Sequence, residues 1–504
     1  MSHFDFNDCP PNLRRLLESR VEEGPDRPFL LGEPGRRTRG EVRDRAAKVA
    51  RQLHALGVAP RDRVVLVTAN RPEFIDVFFG TTGAGFVPVP LNPALRPPEL
   101  RYIIDNSQAK VVITESAHLE SVRAAISDLP DMHCLTFEPT QGERSLAELE
   151  ETGDGFPTPE PTSESEAALI YTSGTTGKPK GVILTHKNYI ANAYQIIAAG
   201  SYSADDRFLC VLPVFHVNAQ VVTILAPLAV GGSLVLLPGF SPEPFVEALE
   251  HFRPTVFSAV PTVYAILLQH PAGEGRDLSS LRYCICGAAP MPEAVFRAFE
   301  QKFQAKIIEG YGLSEGTCGS AVNPVDRERK IGTVGLALPG QEIRIVDDRG
   351  DELPRGEIGE LIVRGDNVMK GYFQNPEATA QTLRDGWLHT GDLAHMDGDG
   401  YITISGRKKE MIIRGGANIY PREIEEVLHH HPAIAEAAVV GEEDEVWGEI
   451  VSAHIVLAPG QNVTEDELTA YCSDQLADYK CPVKWTFRDS LPKTATGKVQ
   501  KRNL

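Results

Sequence analysis

The sequence predicts an α/β fold: a large N-terminal domain of parallel βαβ sheets, a β-rich subdomain behind it, and a small α+β domain at the C-terminal end. Three observations predict it. Short apolar runs alternate with helical patterns from Val64 to Gly312. After about Ile331 the texture changes to apolar–polar alternation broken by Gly and Pro. From Gly406 onward, strands and helices recur on a smaller scale. The expected division is therefore residues 1–406 and 407–504.

The elements follow in order. VVLV (Val64 to Val67) reads as a buried strand, Glu73 to Gly85 as a helix with small residues, and Ala109 to Thr114 as another strand. The Pro-, Ser- and Glu-rich stretch Gly153 to Glu166 reads as an exposed connector. Ala167 to Ile170 and Val182 to His186 are apolar strands. Next come strands at Ser233 to Leu237 and Thr255 to Val260 around a helix at Pro244 to Phe252. Leu281 to Gly287 and Ala305 to Gly312 are strands around a helix at Glu293 to Phe303. Strands spaced by helices pair in parallel. GLALPGQEIRIVDD and GEIGELIVRG alternate instead, as antiparallel strands with one solvated face do. The last region reads as a β pair, a helix at Pro421 to His430, strands at Ala435 to Gly441 and Val451 to Leu457, and a helix at Thr464 to Leu476. His429, His430 and His431 end a helix before Pro432, where positive charge suits the dipole.

Composition narrows the function. The chain of 504 residues is 42% hydrophobic and 24% charged, enough to bury large cores. No window approaches a membrane-spanning stretch, and the acidic start MSHFDFNDCP has no basic-plus-apolar leader pattern. The expectation is a cytoplasmic protein without integral membrane association. Its eight cysteines form no dense disulfide pattern. Cys284 and Cys286 share a strand face, Cys472 and Cys481 stand far apart, and no paired C-x-x-C suggests zinc. A net charge of −19 argues against nucleic acid as a partner.

YTSGTTGKPKG, Tyr171 to Gly181, carries the most chemistry. Thr172, Ser173, Thr175 and Thr176 supply hydroxyls, Gly174 and Gly177 expose backbone amides, and Lys178 and Lys180 add charge. Such a loop suits a polyphosphate. The same composition also makes an ordinary turn. It is not a Walker loop, because Gly174 and Gly177 are too close and Pro179 follows Lys178. YGLSE, Tyr311 to Glu315, ends a strand, where ligands of open α/β sheets bind. GWLHTGDL puts Asp392 after a glycine turn, and LPKTATGKVQKR closes the chain as a basic tail.

Taken in order, YTSGTTGKPKG, YGLSE, GWLHTGDL, GRKKEMIIRGG and LPKTATGKVQKR resemble the signature segments of the adenylate-forming superfamily, in its acyl-CoA synthetase branch. The resemblance covers essentially the whole chain. One departure is Ser314, where the family pattern has Thr; the hydroxyl remains. The resemblance implies ATP-dependent activation of a carboxylic acid to an acyl-adenylate, then transfer to CoA, with Mg²⁺ as cofactor. It also implies a small domain that rotates between the two steps. Transfer to a stand-alone carrier protein and a non-catalytic protein with a relict site are the alternatives; a homodimer stays open.

The resemblance also assigns roles. The loop residues Thr172 to Thr176 and Lys178 would hold phosphates. Gly287, Ala288 and Ala289 would pack one adenine face, Gly310 and Tyr311 the other, with Glu309 near the amino group. Ser314 would contact the α-phosphate, Glu315 would ligate Mg²⁺, Asp392 would accept both ribose hydroxyls, and Arg407 would contact the ribose or phosphate. Lys409 would be the hinge. Lys498 would bridge carboxylate and α-phosphate, while Lys493 and Lys501 stay surface charges. Gly415 and Gly416 would border the thiol's tunnel. PVFHVNAQ resembles the acyl-pocket segment, with His216 as a gate and Val217, Asn218, Val260 and Leu313 as walls. No lone Asp stands there for an α-amino group, which lowers amino acids as substrates.

Overall fold

The structure is a computed structural model. It describes residues 9–32, 35–129, 132–149, 152–172, 178–273, 275–494 and 499–504. The expected phosphate-loop residues Ser173, Gly174, Thr175 and Thr176, and the tail Lys498, lie outside the described residues.

Apolar strands buried on both faces pair in parallel, and two sheets follow from that. In the larger, six adjacent strands run parallel: Pro28–Leu31, Ser233–Leu236, Arg207–Cys210, Val256–Ala259, Tyr283–Cys286 and Ile307–Tyr311. Antiparallel strands finish both edges: Arg37–Thr38 at one, Ala321–Val322 and Leu336–Ala337 at the other. The smaller sheet has the order Val87–Leu91, Arg63–Val67, Ala109–Thr114, His133–Thr136, all parallel. Between them, Glu166–Thr172 pairs antiparallel with Lys180–Thr185. Period-two alternation lets this strand serve two cores. Ala168 and Ile170 join the large cluster with Phe78 and Tyr189, whereas Leu169 and Tyr171 pack with Val87 and Ile103.

The β-rich part is an antiparallel sheet in the order Glu342–Val346, Gly359–Arg364, Trp387–Met396, Leu383–Arg384, with Ile402–Arg407 also on Trp387–Met396. The last part has its own sheet: Ala417–Ile419, Ile412–Arg414, Gly448–Leu457, Ile434–Asp444, with Lys484–Phe487 parallel to Gly448–Leu457. Helices Pro421–His429 and Glu465–Ser473 cover it, the second started by a Thr464–Glu467 capping box. Its core is a separate cluster that includes Ile424, Leu428, Val451, Leu468 and Trp485.

Two expectations change here. Cys472 and Cys481, expected to stand far apart, share that small core as free thiols. Lys501 is no surface charge: its ammonium sits 2.7 Å from Glu425 with 17% of its side chain exposed, and Lys493 pairs with Glu436 at 2.7 Å. Burial beside a carboxylate costs a lysine less than burial alone, so the basic tail docks instead of trailing in solvent. Among the described residues no helix is long and apolar enough to cross a membrane.

Candidate active site

Parallel strands deliver their carboxyl ends to one edge, and the site is built there. Tyr283–Cys286 leads into Gly287 and Ala288; Ile307–Tyr311 leads into Gly312 and a short turn at Ser314–Gly316. Two features make this edge tight. Ala288 holds φ +68°, a left-handed conformation that costs a non-glycine residue roughly 1 kcal/mol or more. At Gly312 an added Cβ would sit 1.5 Å from the Cys318 carbonyl, so only glycine lets the chain cross itself there. Together they bound a cavity of about 640 Å³.

Tyr311, Asp392 and Arg407 come from three strands and meet beside this cavity, which Tyr311 and Arg407 line and Asp392 does not. The Tyr311 hydroxyl donates to Asp392 Oδ2 at 2.5 Å, and Arg407 Nε lies 2.9 Å from Oδ1. Asp392 is 4% exposed. It does not follow a simple turn, as expected, but lies inside the strand Trp387–Met396. Gly391, at φ +70°, and a register slip against Glu360–Ile362 form a bulge that re-aims the carboxylate. Cross-strand pairing sets Arg407 opposite Asp392. Burial and then the Asp392 charge push the Tyr311 hydroxyl well above the usual phenol range. Burial works against the Arg407 guanidinium, but Asp392 and Tyr311 outweigh it and hold its pKa raised.

Glu315 faces the same cavity and accepts a hydrogen bond from the Tyr372 hydroxyl at 2.9 Å. Lys180 Nζ stands 5.1 Å from the Tyr372 ring. Sequence reasoning missed Tyr372; its neighbours GYFQNP carry only turn signals. It also missed Glu360, buried at 7% exposure, 3.4 Å from His389 Nδ1 and 3.5 Å from Lys408 Nζ. Nothing in a strand-edge glutamate's sequence marks it as a hub.

Other expected residues are placed unevenly. Thr172, Ser314, Gly310, Gly287, Ala288 and Lys409 line the cavity, as do Val217, Asn218 and Leu313. Lys178 does not: it lies over the Tyr102 ring at 5.5 Å in a separate cleft, and Lys180 takes the cavity wall. Lys178 lies before the strand that Lys180 begins opposite Thr172, and Lys180 borders both the cavity and that cleft. Val260 also falls outside the lining, because as the residue before helix Pro261–Gln269 it packs into the core. Ala289 lies off it too. Gly415 and Gly416, at φ +56° and +84°, are off the lining as well; the Gly415 amide donates to the Trp447 carbonyl at 2.8 Å.

His216 lines the cavity with its ring 4.5 Å from that of Phe215. Its Nε2 is buried and has no hydrogen-bond partner among the described residues. Burial lowers its pKa to about 4, so the imidazole is neutral near pH 7. It can donate or accept, but it adds no charge.

Glu309 does not line the cavity. It is 5% exposed, and its Oε2 has no partner among the described residues. Burial raises its pKa to about 7, with Arg422 of helix Pro421–His429 pulling the other way. The folded state therefore holds this proton more tightly than the unfolded chain. Its contribution to stability is full below about pH 4.5 and is lost as pH rises through about 7. Glu309→Gln should remove that slope. Relative to the parent, the variant should gain on the order of 3 kcal/mol between pH 4.5 and 8 in denaturant titrations. Parallel stability profiles would show that Glu309 titrates normally.

The family model of the AMP-binding enzymes matches residues 17–373, and the model of their C-terminal domain matches residues 423–498. The chain belongs to the AMP-binding enzyme family. Among relatives within the family, a feruloyl-CoA synthase from Amycolatopsis sp is 39% identical over 467 residues, 92% of each chain. A sulfoacetate–CoA ligase from Cupriavidus necator is 37% identical over 501 residues, covering 98% of this chain and 97% of that protein. ATP-bound MatB from Rhodopseudomonas palustris superposes with a TM-score of 0.90 at 34% identity, covering 98% of both chains. The architecture expected from sequence, parallel sheets followed by a β-rich part and a small C-terminal part, is the one this family shares with the chain.

Proposed function

We propose that the chain is an AMP-forming acid–CoA ligase. A carboxylate attacks the α-phosphorus of ATP, releasing pyrophosphate; the thiol of CoA then displaces AMP from the acyl-adenylate. The first step turns a poor electrophile into one with a good leaving group. One observation carries this reading. Tyr311 and Arg407, both bonded to the buried Asp392 behind them, line the same cavity as Glu315 and a wall of uncharged side chains, so nucleotide and acid can meet there.

The roles follow from the chemistry of each group. Asp392, already an acceptor for two donors, suits paired ribose hydroxyls. Lys180, Arg407 and Lys409 supply local cations against a net charge of −19. Among the described residues no three metal-ligating side chains converge. That pattern fits Mg²⁺, which keeps its waters and binds through one carboxylate and the substrate's phosphates. Glu315 is the carboxylate we assign to it, with Tyr372 orienting one oxygen. Lys498 is the group we assign to the carboxylate and α-phosphate during adenylation, and Gly415 and Gly416 to the thiol's path. Residues 1–406 and 407–504 are the proposed moving parts, with Lys409 as hinge.

The test is carboxylate-dependent pyrophosphate exchange over an acid panel, followed by thioester formation with CoA against a carrier protein. Exchange with at least one acid and transfer to CoA is expected. No exchange with any acid would leave a binding protein; transfer to the carrier alone would move the acceptor from CoA to protein. Kinship does not choose the acid, since ferulate and sulfoacetate, named for the two relatives, differ by one anionic group.

A further inference from the structure

The cavity has two chemically different walls. Among the described residues that line it, every formal charge (Lys180, Glu315, Glu360, Arg384, Arg407, Lys408 and Lys409) comes from the phosphate-loop strand, the turn after Tyr311, the β-rich sheet or the hinge. A second wall is built by the lining residues at the end of helix His186–Gly200, between His216 and Val222, on strand Tyr283–Cys286 and between Cys318 and Leu338. It carries no charged side chain.

The polar atoms on that wall are neutral and largely committed. Tyr283 donates its hydroxyl to the Gly200 carbonyl at 2.7 Å. Asn218 Oδ1 accepts from Ser258 at 3.0 Å. His216 is uncharged near neutral pH, and burial drives the Cys318 thiol up to about 12 and that of Cys286 well above the usual thiol range. Nothing there neutralises an anion. An unpaired carboxylate or sulfonate placed against such a wall loses hydration and gains no counter-ion.

We propose that the acid this chain activates is singly charged: its only anionic group is the reacting carboxylate, and its tail is uncharged and mainly apolar. This inference rests on the ligase reading and names the substrate class of that same site. It excludes dicarboxylates and sulfonated acids, for which a cation on the tail's wall would be required.

Pairs of equal size test it: hexanoate against adipate, and cinnamate against 4-carboxycinnamate. Both equilibrium binding by titration calorimetry and pyrophosphate exchange should be followed on the full chain. In each pair the singly charged acid is expected to bind at least ~10-fold more tightly and to exchange with a kcat/KM about 10²-fold higher or more. Val322→Lys, and separately Ile196→Lys, place a cation on half-buried positions of the apolar wall. Either should cut that preference about 10-fold by admitting the doubly charged member. Equal binding of both members to the parent protein overturns the inference, whatever exchange shows. Selective binding without exchange by any acid sinks the ligase reading while leaving the cavity's preference for singly charged acids standing.

Discussion

Lys498→Ala should lower adenylate formation by on the order of 10²–10³, about 3–4 kcal/mol of transition-state stabilisation. Attack of one anion on another is the difficulty of this half-reaction, and the chain's own charge of −19 makes it worse. A single ammonium held between the carboxylate and the α-phosphate relieves it locally, where exclusion of water strengthens the interaction. The second half-reaction has no such need. The thiol attacks the uncharged acyl carbon of a mixed anhydride whose leaving group, AMP, is already in place. The variant should therefore convert a supplied acyl-adenylate to thioester at close to the parental rate. The tail around this residue is anchored by Lys501 on Glu425 at 2.7 Å and by Arg488 on the Leu504 carbonyl at 2.8 Å. None of those contacts involves Lys498, so the variant should melt within about a degree or two of the parent. Equal loss of both half-reactions would remove Lys498 from its assigned role.

Gly416→Leu should do the opposite. Pyrophosphate exchange should continue at roughly the parental rate, and thioester formation should fall by on the order of 10²-fold, the cost of misplacing a reactant. Packing does not forbid the substitution, since an added Cβ at Gly416 meets nothing within 4 Å. The backbone cost is that of φ +84°, on the order of 1–2 kcal/mol for a non-glycine residue. A fold of this size survives that. Gly415 is a poorer choice, because its Cβ would come 3.0 Å from the Trp447 ring. If Gly416→Leu slowed exchange as much as thioester formation, the two glycines would not border the thiol's path.

Much of this molecule is legible in the sequence because local rules agree with the global fold. The helix at Glu293–Phe303 and the strand at Ala109–Thr114 were readable to the residue, since apolar periodicity and flanking polar breaks coincide there. Tyr311, Ser314 and Glu315 could be placed at a strand's carboxyl end for the same reason. Asp392 could be singled out from its motif, but its setting could not. A glycine before an aspartate signals a turn, and only pairing with Gly359–Arg364 turns that signal into a bulge within a strand. Lys178 and Lys180 show the same limit. Both are lysines in one motif, and the side on which each falls depends on which strands flank the hairpin.

By itself the sequence determined the fold class, the order of the parts and the residue types proposed to meet ATP, because periodicity and motif spacing are local properties. Only tertiary structure decided which groups touch: Tyr311 on Asp392, Tyr372 on Glu315, and Lys501 on Glu425. It also decided that every charge on the described cavity lining stands on one wall and none on the other. Those facts depend on the register and packing of strands dozens to hundreds of residues apart, and no local pattern encodes the sum of contacts that sets them.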